Sequence, residues 1–344
     1  MAVATLTIDL TALQQNWQAL DQKSASNVET AAVVKADGYG LDAGRVSAAL
    51  AKTGAKTFFV AAAEEGIAVR TATGPDTTIY VFSGCCPGDH QIIADYDLIP
   101  LLNSPEQVKD FLPSARPYGL QLDTGMNRLG IEPADFAGLK DQANTPTLIM
   151  SHLACADEPD HPMNRQQLAA FHAMTDGLTA PKSLAATGGT LLGADYHFDM
   201  TRPGVGLYGG FPFTEATPVA HVSLPVIQTR SVELGETVGY ANHWQAQRPS
   251  TIATVAAGYA DGLIRAIGNG QIQLYADNTP CPLVGRVSMD MITVDITDLG
   301  HTPTALDILN AHQTVDDLAD AAGTIGYELL TSLGGRYNRV YRGG

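Results

Sequence analysis

The first part of the chain alternates short apolar runs with longer stretches whose hydrophobic residues recur every three to four positions. Short runs rich in Val, Ile, Leu and Phe are typical of buried strands. The stretches between them are long enough for helices, and their hydrophobic residues have helical spacing. Helical spacing is clear in Gly44–Lys52 and Arg165–Leu178. The predicted strands are Ala31–Lys35, Thr57–Ala61, Thr78–Phe82, Leu98–Leu102, Tyr118–Asp123, Leu148–His152, Ser183–Ala186 and His197–Arg202.

This alternation predicts an α/β fold. Strands and helices that alternate eight times over roughly 200 residues are expected of a (β/α)8 barrel. A doubly wound open sheet also alternates strands with helices, so periodicity alone leaves both folds open. The barrel is favoured because polar residues follow the C-terminal ends of the strands, where barrel enzymes collect their functional groups.

After about Phe213 the pattern changes to strands joined by short turns with Gly, Pro, Asn and Asp. We therefore predict a TIM-type barrel over residues 1–220 and a mostly β domain over residues 221–344. Residues 2–10 also read as a strand, which could pair with either domain. Helical spacing returns at Val315–Ala322 and Tyr327–Leu333. The strands predicted in the second domain are Val219–Arg230, Thr251–Ala257, Gln271–Tyr275, Pro282–Ser288 and Met291–Ile296.

Composition narrows the class of protein. The 344 residues are 45% hydrophobic, which allows a large core, and the net charge of -16 with scattered basic residues argues against nucleic-acid binding. The N-terminus lacks the pattern of a secretory signal, and the apolar runs are too short for membrane spans. Cys85 and Cys86 are adjacent, which suits neither a disulfide between them nor a Cys-x-x-Cys metal site. We expect reduced thiols, no metal site and a cytoplasmic location.

Lys35 is the first residue that suggests chemistry. It ends an apolar strand, so its amine is expected at the C-terminal mouth of the barrel, where it could form a Schiff base with an aldehyde cofactor. A single lysine in this position is more often a solvated charge. Tyr39 follows between Gly38 and Gly40, which permit tight turns, and its hydroxyl could bind a phosphate.

The string from Val33 to Gly40, Val-Val-Lys-Ala-Asp-Gly-Tyr-Gly, closely resembles the pyridoxal-phosphate (PLP) attachment signature of alanine racemases. Further matches extend the resemblance over nearly the entire chain, as far as Tyr327-Glu-Leu-Leu. That family combines a PLP-binding (β/α)8 barrel with a C-terminal β domain. The resemblance implies that Lys35 binds the cofactor covalently and acts as one catalytic base, while Tyr39 contacts the cofactor phosphate.

The loops after the seventh and eighth predicted strands offer further phosphate ligands, because exposed backbone N–H groups suit a phosphate dianion. The resemblance implies that Thr187, where the family usually has serine, contacts the phosphate together with Gly204, Val205 and Tyr327. Residues 204–209 also satisfy G-x-G-x-x-G. We reject a dinucleotide site there, because no acidic residue follows a convincing second strand at the expected distance.

The resemblance also implies roles around the cofactor ring. Arg202 would lie against the pyridine nitrogen, where a permanent positive charge disfavours protonation of the ring and limits side reactions. His152 would lie beside the ring face. Arg128 would lie near the phenolic oxygen and hold the substrate carboxylate by two hydrogen bonds. Asp157 and Arg286 fit positions at the substrate entrance.

A racemase must remove a proton from one face of Cα and return one to the opposite face, which two groups do most directly. The resemblance implies that Tyr259, in Gly-Tyr-Ala-Asp-Gly, is the second catalytic residue and acts in the partner subunit's site. Met289 would supply a backbone amide to the substrate carboxylate. The resemblance therefore implies a homodimer with shared active sites.

One position departs from the family pattern. Many alanine racemases have a carbamylated lysine before the Asp-Thr-Gly-Met segment, and that anion orients the arginine. Gln121 stands there in this chain and carries no charge. The way in which Arg128 is positioned, and with it the substrate preference, is left open.

The expected function is PLP-dependent interconversion of L- and D-alanine by a two-base Lys/Tyr mechanism, which supplies D-alanine for peptidoglycan. A serine or broader-specificity racemase stays open, because the pocket volume cannot be read from the motifs. A decarboxylase of the same architecture is disfavoured by Arg202, where an acidic partner for the ring nitrogen would be expected. A non-enzymatic PLP-binding protein is disfavoured by the second domain.

Overall fold

The computed structural model describes residues 3–139, 146–268 and 272–344. These residues form two compact units. The barrel unit comprises the described residues of Leu13–Leu207 and Pro212–Glu215. The β unit comprises the described residues up to Ala12, Tyr208–Phe211 and the described residues from Ala216 onward.

The strands and helices are numbered along the whole chain. The strands are β1 (Thr5–Asp9), β2 (Glu29–Thr30), β3 (Ala32–Val33), β4 (Thr57–Val60), β5 (Thr78–Val81), β6 (Ile99–Leu102), β7 (Gly119–Gln121), β8 (Ile149–Met150), β9 (Lys182–Ser183), β10 (Met200–Thr201), β11 (Ala220–Val232), β12 (Thr237–Val238), β13 (Trp244–Gln245), β14 (Ser250–Val255), β15 (Gln273–Ala276), β16 (Thr279–Val284), β17 (Ile292–Asp295), β18 (Ala305–Leu309) and β19 (Asn338–Arg342). The α-helices are α1 (Leu10–Lys23), α2 (Lys35–Gly40), α3 (Ala43–Thr53), α4 (Ala63–Thr73), α5 (His90–Asp95), α6 (Pro105–Phe111), α7 (Pro133–Leu139), α8 (Pro162–Thr175), α9 (Thr187–Leu191), α10 (Val315–Ala322) and α11 (Gly326–Ser332).

The barrel unit is built on a closed ring of parallel strands. Strands β3 to β9 pair in chain order, and β10 pairs in parallel with β2, which precedes β3 directly. The Arg202 N–H donates to the Ala185 carbonyl at 2.8 Å, and the Val33 N–H donates to the Pro203 carbonyl at 2.9 Å, so β10 joins the ring on both sides. The predicted TIM-type barrel is confirmed, and the open sheet is ruled out by this closure.

The barrel strands are buried on both faces, whereas the helices around them are buried on one face only. Every residue of β4 is buried, as expected for a strand covered on both faces. In α3, Val46, Ala49 and Leu50 are buried at the spacing of one helix face. The Asp42 side chain begins this helix by accepting a hydrogen bond from the Arg45 N–H at 3.0 Å.

The β unit is organised by the long strand β11. It pairs antiparallel with β1 and β18 along one part and with β14 along another, and its register shifts between Val226 and Gln228. The bulge bends the strand so that one strand serves both parts of the sheet. Strand β1 lies between β11 and β19, and its Leu6 and Ile8 are fully buried while alternate residues are partly exposed.

Several predicted boundaries differ from the structure. Helix α8 begins at Pro162, earlier than predicted, because His161 caps the helix and proline is favoured at its first position. Helix α1 has no counterpart among the predicted helices. Residue 2 and the predicted strand start at Gln271 lie outside the described residues. In the described part of the chain, none of the helices has the length and apolar character needed to cross a membrane.

Candidate active site

Lys35 is followed by a turn of left-handed backbone. Ala36, Asp37, Gly38 and Tyr39 have φ angles of 53°, 54°, 64° and 55°. A left-handed conformation costs roughly 1–2 kcal/mol for each residue that is not glycine. Since three of the four residues carry a side chain, the turn persists only if its surroundings stabilise it.

Hydrogen bonds within the turn account for part of that stabilisation. The Gly38 N–H donates to the Val34 carbonyl at 2.9 Å, and the Asp42 N–H donates to the Asp37 carbonyl at 2.9 Å. The Asp37 carboxylate accepts from the Ala43 N–H at 2.9 Å. A Cβ on Gly38 would lie 3.1 Å from that same nitrogen, so glycine is required for close packing here.

Glu65 holds the turn from the first turn of α4, a role that no motif in the sequence indicated. One carboxylate oxygen accepts from the Ala36 N–H at 2.8 Å, and the other accepts from the Ala61 N–H at 2.7 Å. Charged hydrogen bonds of this kind are stronger than neutral ones. Glu65 therefore fastens the residue after Lys35 to the end of β4.

The Lys35 amine lies in an environment that favours its neutral form. Its Nζ lies 5.9 Å from the centre of the Phe82 ring. Burial and the positive charge of Arg128 lower the pKa of Lys35, while the negative charge of Glu65 raises it in part. A lysine with a lowered pKa is a better nucleophile and base at neutral pH than a solvated lysine.

A buried group of donors lies in the same unit at the loops after β9 and β10. The Thr187 hydroxyl accepts from the Gly204 N–H at 3.0 Å and from the Gly206 N–H at 3.3 Å. A Cβ on Gly204 would lie 2.3 Å from the Tyr39 hydroxyl oxygen, so that hydroxyl occupies the space that glycine leaves free. Val205 is buried in this loop. The structure thus brings four of the predicted phosphate ligands, Tyr39, Thr187, Gly204 and Val205, into one stretch of the barrel.

Arg202 is the largest fully buried side chain of the described residues, with 1% of its surface exposed. It donates to the Ser183 hydroxyl and, at 2.8 Å, to the Ser151 carbonyl. Among the described residues, no carboxylate forms an ion pair with it. Burial lowers the pKa of Arg202 to about 9, so the guanidinium stays charged at neutral pH. No motif in the sequence had indicated Ser183 and Ser151 as its partners.

His152 is held neutral. Burial, followed by the charges of Arg202, Arg128 and Lys35, lowers the pKa of His152 to about 3. Its backbone is fixed by Gln167, which donates to the His152 carbonyl at 2.9 Å from helix α8. The Gln167 side chain is fully buried, and its polarity alone did not mark it as a supporting residue.

Arg128 lies in an exposed loop that is held by a hydrogen bond from Gln121. The buried Gln121 amide donates to the Leu129 carbonyl at 3.2 Å, directly beside Arg128 in the chain. Asp123 accepts from the Gly125 N–H at 2.7 Å in the same loop. The neutral Gln121 thus positions the loop through its backbone. Asp157 is exposed in a loop after β8.

In the β unit, Tyr259 lies on a single 3-10 turn, Tyr259–Asp261. Its N–H donates to the Ser288 carbonyl at 3.0 Å, and the Ala260 N–H donates to the Met289 carbonyl at 3.0 Å. A Cβ on Gly258 would lie 2.3 Å from the Ser288 oxygen. The turn with Tyr259 and the segment with Met289 therefore form one packed element, while both side chains remain exposed, by 43% and 54%.

Two further predicted site residues, Arg286 and Tyr327, lie in the β unit. Arg286 follows β16 and is half-buried, and Tyr327 lies in the first turn of α11 with its ring exposed. In the barrel unit, the charges of Lys35, Arg128 and Arg202 act together on His152. In the β unit, Tyr259 and Met289 are joined by their backbones.

Comparison with known proteins identifies the family. The family described as "Alanine racemase, N-terminal domain" matches residues 8–212, and "Alanine racemase, C-terminal domain" matches residues 219–341. The chain belongs to the alanine racemase family. A relative named alanine racemase from Cereibacter sphaeroides (strain ATCC 17025 / ATH 2.4.3) is 61% identical over 99% of each chain, and one from Rhizobium meliloti (strain 1021) is 42% identical over 100% of this chain and 98% of its own.

Solved structures of the family have the same fold. Alanine racemase from Bartonella henselae, solved with covalently bound pyridoxal phosphate, matches with a TM-score of 0.92 and 36% identity over 99% of this chain and 100% of its own. Biosynthetic alanine racemase from Pseudomonas aeruginosa matches with a TM-score of 0.92 and 34% identity over 100% of each chain.

The barrel residues fit PLP, the cofactor of this family. Lys35 offers an amine for the aldehyde, and its pKa is lowered. The Tyr39 hydroxyl packs directly against Gly204, so a hydroxyl donor and the backbone of this loop lie together, as expected of a phosphate-binding site. Arg202 offers a buried cation that no described carboxylate neutralises.

Opposite charge changes at the barrel mouth test this electrostatic arrangement. Glu65→Gln is expected to lower the pKa of Lys35, because it removes a negative charge, whereas Arg128→Gln is expected to raise it, because it removes a positive charge. The measurement is the pH dependence of Lys35 labelling by an amine-selective reagent in the cofactor-free protein, followed by peptide mass spectrometry. Glu64→Gln, at the adjacent exposed carboxylate, is the matched control. Shifts of the same sign in the Glu65 and Arg128 variants would contradict the arrangement.

Proposed function

We propose that this chain interconverts L- and D-alanine as a PLP-dependent racemase, with Lys35 and Tyr259 as its two catalytic residues. The observation that carries the proposal is the setting of Lys35. Its amine has a lowered pKa, its backbone is fixed by the left-handed turn, and the barrel around it combines a phosphate cradle with a buried arginine. That combination suits the binding of a PLP cofactor and proton transfer at the lysine amine.

The barrel residues would hold the cofactor as follows. Tyr39, Thr187, Gly204 and Val205 bind the phosphate, with Tyr327 as a further ligand, and Arg202 contacts the ring nitrogen. Bound PLP supplies an aldehyde that joins the substrate amine and a ring that withdraws electrons from Cα. Because Arg202 is a buried cation, it disfavours a proton on the ring nitrogen.

Arg202 also separates racemisation from decarboxylation and transamination. An acidic residue in place of Arg202 would stabilise a proton on the ring nitrogen and with it such side reactions. Arg202 donates to Ser183 and Ser151 and has no acidic partner among the residues described. Arg202 would therefore favour return of a proton to Cα by Lys35 or Tyr259, which is what a racemase requires.

The two catalytic groups would act on opposite faces of Cα. Lys35 takes or returns a proton on one face, and Tyr259 does so on the other. Arg128 and the Met289 backbone amide bind the substrate carboxylate, and the neutral His152 lies beside the cofactor ring. Its pKa of about 3 keeps His152 from adding another positive charge there at neutral pH.

The active form that we propose is a cytoplasmic homodimer, in which Tyr259 and Met289 complete the partner subunit's site. Tyr259 and Met289 support it, because their two segments form one packed element on which both large side chains are exposed, as is typical of interaction surfaces. Asp157 and Arg286 would line the substrate entrance. The D-alanine produced would supply peptidoglycan.

Two single substitutions test the catalytic assignment. Lys35→Ala is expected to abolish covalent retention of PLP after borohydride reduction. Tyr259→Phe is expected to retain PLP covalently and to lose racemisation by about 10²- to 10⁴-fold, the range for removal of an acid-base group. Racemisation is followed by D-alanine formation from L-alanine, with L-serine as the comparison substrate. Loss of covalent PLP in both variants would contradict separate roles, and release of CO2 without D-alanine would contradict racemisation.

Mixing the two inactive variants tests whether active sites are shared. If Tyr259 serves the partner's site, a mixed dimer of Lys35→Ala and Tyr259→Phe subunits has one site with both catalytic residues intact. Random reassociation of equal amounts should then restore about one quarter of wild-type activity. Sites built within single subunits would show no recovery on mixing. Sedimentation of the wild-type protein measures its mass in solution, which should be that of a dimer.

A further inference from the structure

Arg336 forms a three-point ion-pair network in the β unit. Its Nε lies 2.7 Å from Asp261 Oδ1 and its Nη2 lies 2.7 Å from Asp261 Oδ2, a bidentate pair. Its Nη1 lies 2.7 Å from Asp290 Oδ1. The Asp261 side chain is only 8% exposed, whereas those of Arg336 and Asp290 are 50% and 54% exposed.

The two carboxylates belong to the two segments that carry the proposed substrate contacts of this unit. Asp261 ends the 3-10 turn that begins at Tyr259, and its Oδ2 also accepts from the Gly258 N–H at 2.9 Å. Asp290 follows Met289 directly. One guanidinium therefore connects the turn with Tyr259 to the segment with Met289.

The chemistry of the network requires arginine. The buried Asp261 carboxylate needs a cation and several hydrogen bonds to offset its lost solvation. Only a planar guanidinium can form a fork with one carboxylate and still offer a third N–H to another. A lysine ammonium would preserve the charge but not the fixed angle between the two carboxylates.

We propose that Arg336 is a positioning residue for the proposed racemisation, holding the Tyr259 turn in register with the Met289 segment. The inference rests on the proposed function, because the proposed function assigns Tyr259 and Met289 their roles. Arg336 does not itself contact the reacting atoms. It acts by fixing the distance between the group that moves the proton and the amide that binds the carboxylate, and small misplacement of reacting groups is costly to rate.

The chain contains a matched control. Arg248 forms a similar bidentate pair with Asp298, at 2.9 and 2.6 Å, in the same unit. Both of those side chains are exposed, by 51% and 76%, and the pair is remote in sequence from the Tyr259 turn. Arg248→Gln thus removes an arginine–aspartate fork without touching the proposed network.

The test measures racemisation in both directions with alanine and with α-deuterated alanine, using the PLP-loaded protein. Arg336→Gln is expected to lower kcat by about 10- to 100-fold while PLP content and covalent retention stay at wild-type values. Arg336→Lys should recover part of the loss. Arg248→Gln should stay within about twofold of wild type, as expected of an exposed pair.

The isotope effect separates positioning from a general loss of structure. If Tyr259 is misplaced, its proton transfer becomes more rate-limiting. The α-deuterium effect should then rise in the direction in which Tyr259 removes the proton and fall in the other. A lower concentration of folded protein would lower the rates in both directions by the same factor and would leave the isotope effects unchanged. Equal isotope effects in the two directions, or an Arg336→Gln kcat within twofold of wild type, would overturn the proposal.

Asp290→Asn keeps the test decisive if Arg336→Gln does not fold, because it leaves the pair with buried Asp261 intact. It should produce a smaller loss of kcat, about 3- to 10-fold, with the same asymmetry of isotope effects. An unchanged Asp290→Asn variant would count against the connection. Wild-type racemisation is measured first: its absence refutes the proposed function, whereas active wild type with unaffected variants refutes the role of Arg336 alone.

Discussion

The arrangement of the barrel mouth depends on the left-handed turn that follows Lys35. Three residues with side chains adopt this unfavourable backbone, and the hydrogen bonds of Asp37, Val34 and Glu65 hold them there. The turn occupies the four residues that follow Lys35, and Tyr39 is the last of them. The strained segment therefore carries both the amine of Lys35 and the hydroxyl of Tyr39.

The second organising feature is positive charge. The pKa of His152 falls to about 3 because of burial and of the charges of Arg202, Arg128 and Lys35. A phosphate dianion and a substrate carboxylate would be attracted to such a site, and Arg202 is buried where water cannot screen it. Glu65 is the carboxylate that moderates this field at Lys35, and it also fastens the turn. Geometry and electrostatics are therefore set by the same side chain.

The alternation of strands and helices predicted the barrel, because buried parallel strands and amphipathic helices leave strong periodic signals. The resemblance around Lys35 supplied the proposed site residues. What it missed are supporting residues such as Glu65, Gln167, Ser183 and Arg336. Each acts through a contact with a residue distant in the chain, and its side chain is of a kind that usually lies in solvent or satisfies a local bond. The left-handed turn was also missed, since Ala36 and Asp37 have no preference for positive φ strong enough to predict it.

The central claim, that backbone strain at Ala36 is stabilised by its surroundings, can be measured with one pair of substitutions. Glycine adopts left-handed backbone freely, so Ala36→Gly should leave the free energy of unfolding unchanged or raise it by up to about 1 kcal/mol. Ala48→Gly, within the right-handed helix α3, should lower it by about 1 kcal/mol. Denaturant unfolding of the two variants beside wild type gives both values. Equal losses of stability would contradict a left-handed turn at Lys35 and the account built on it.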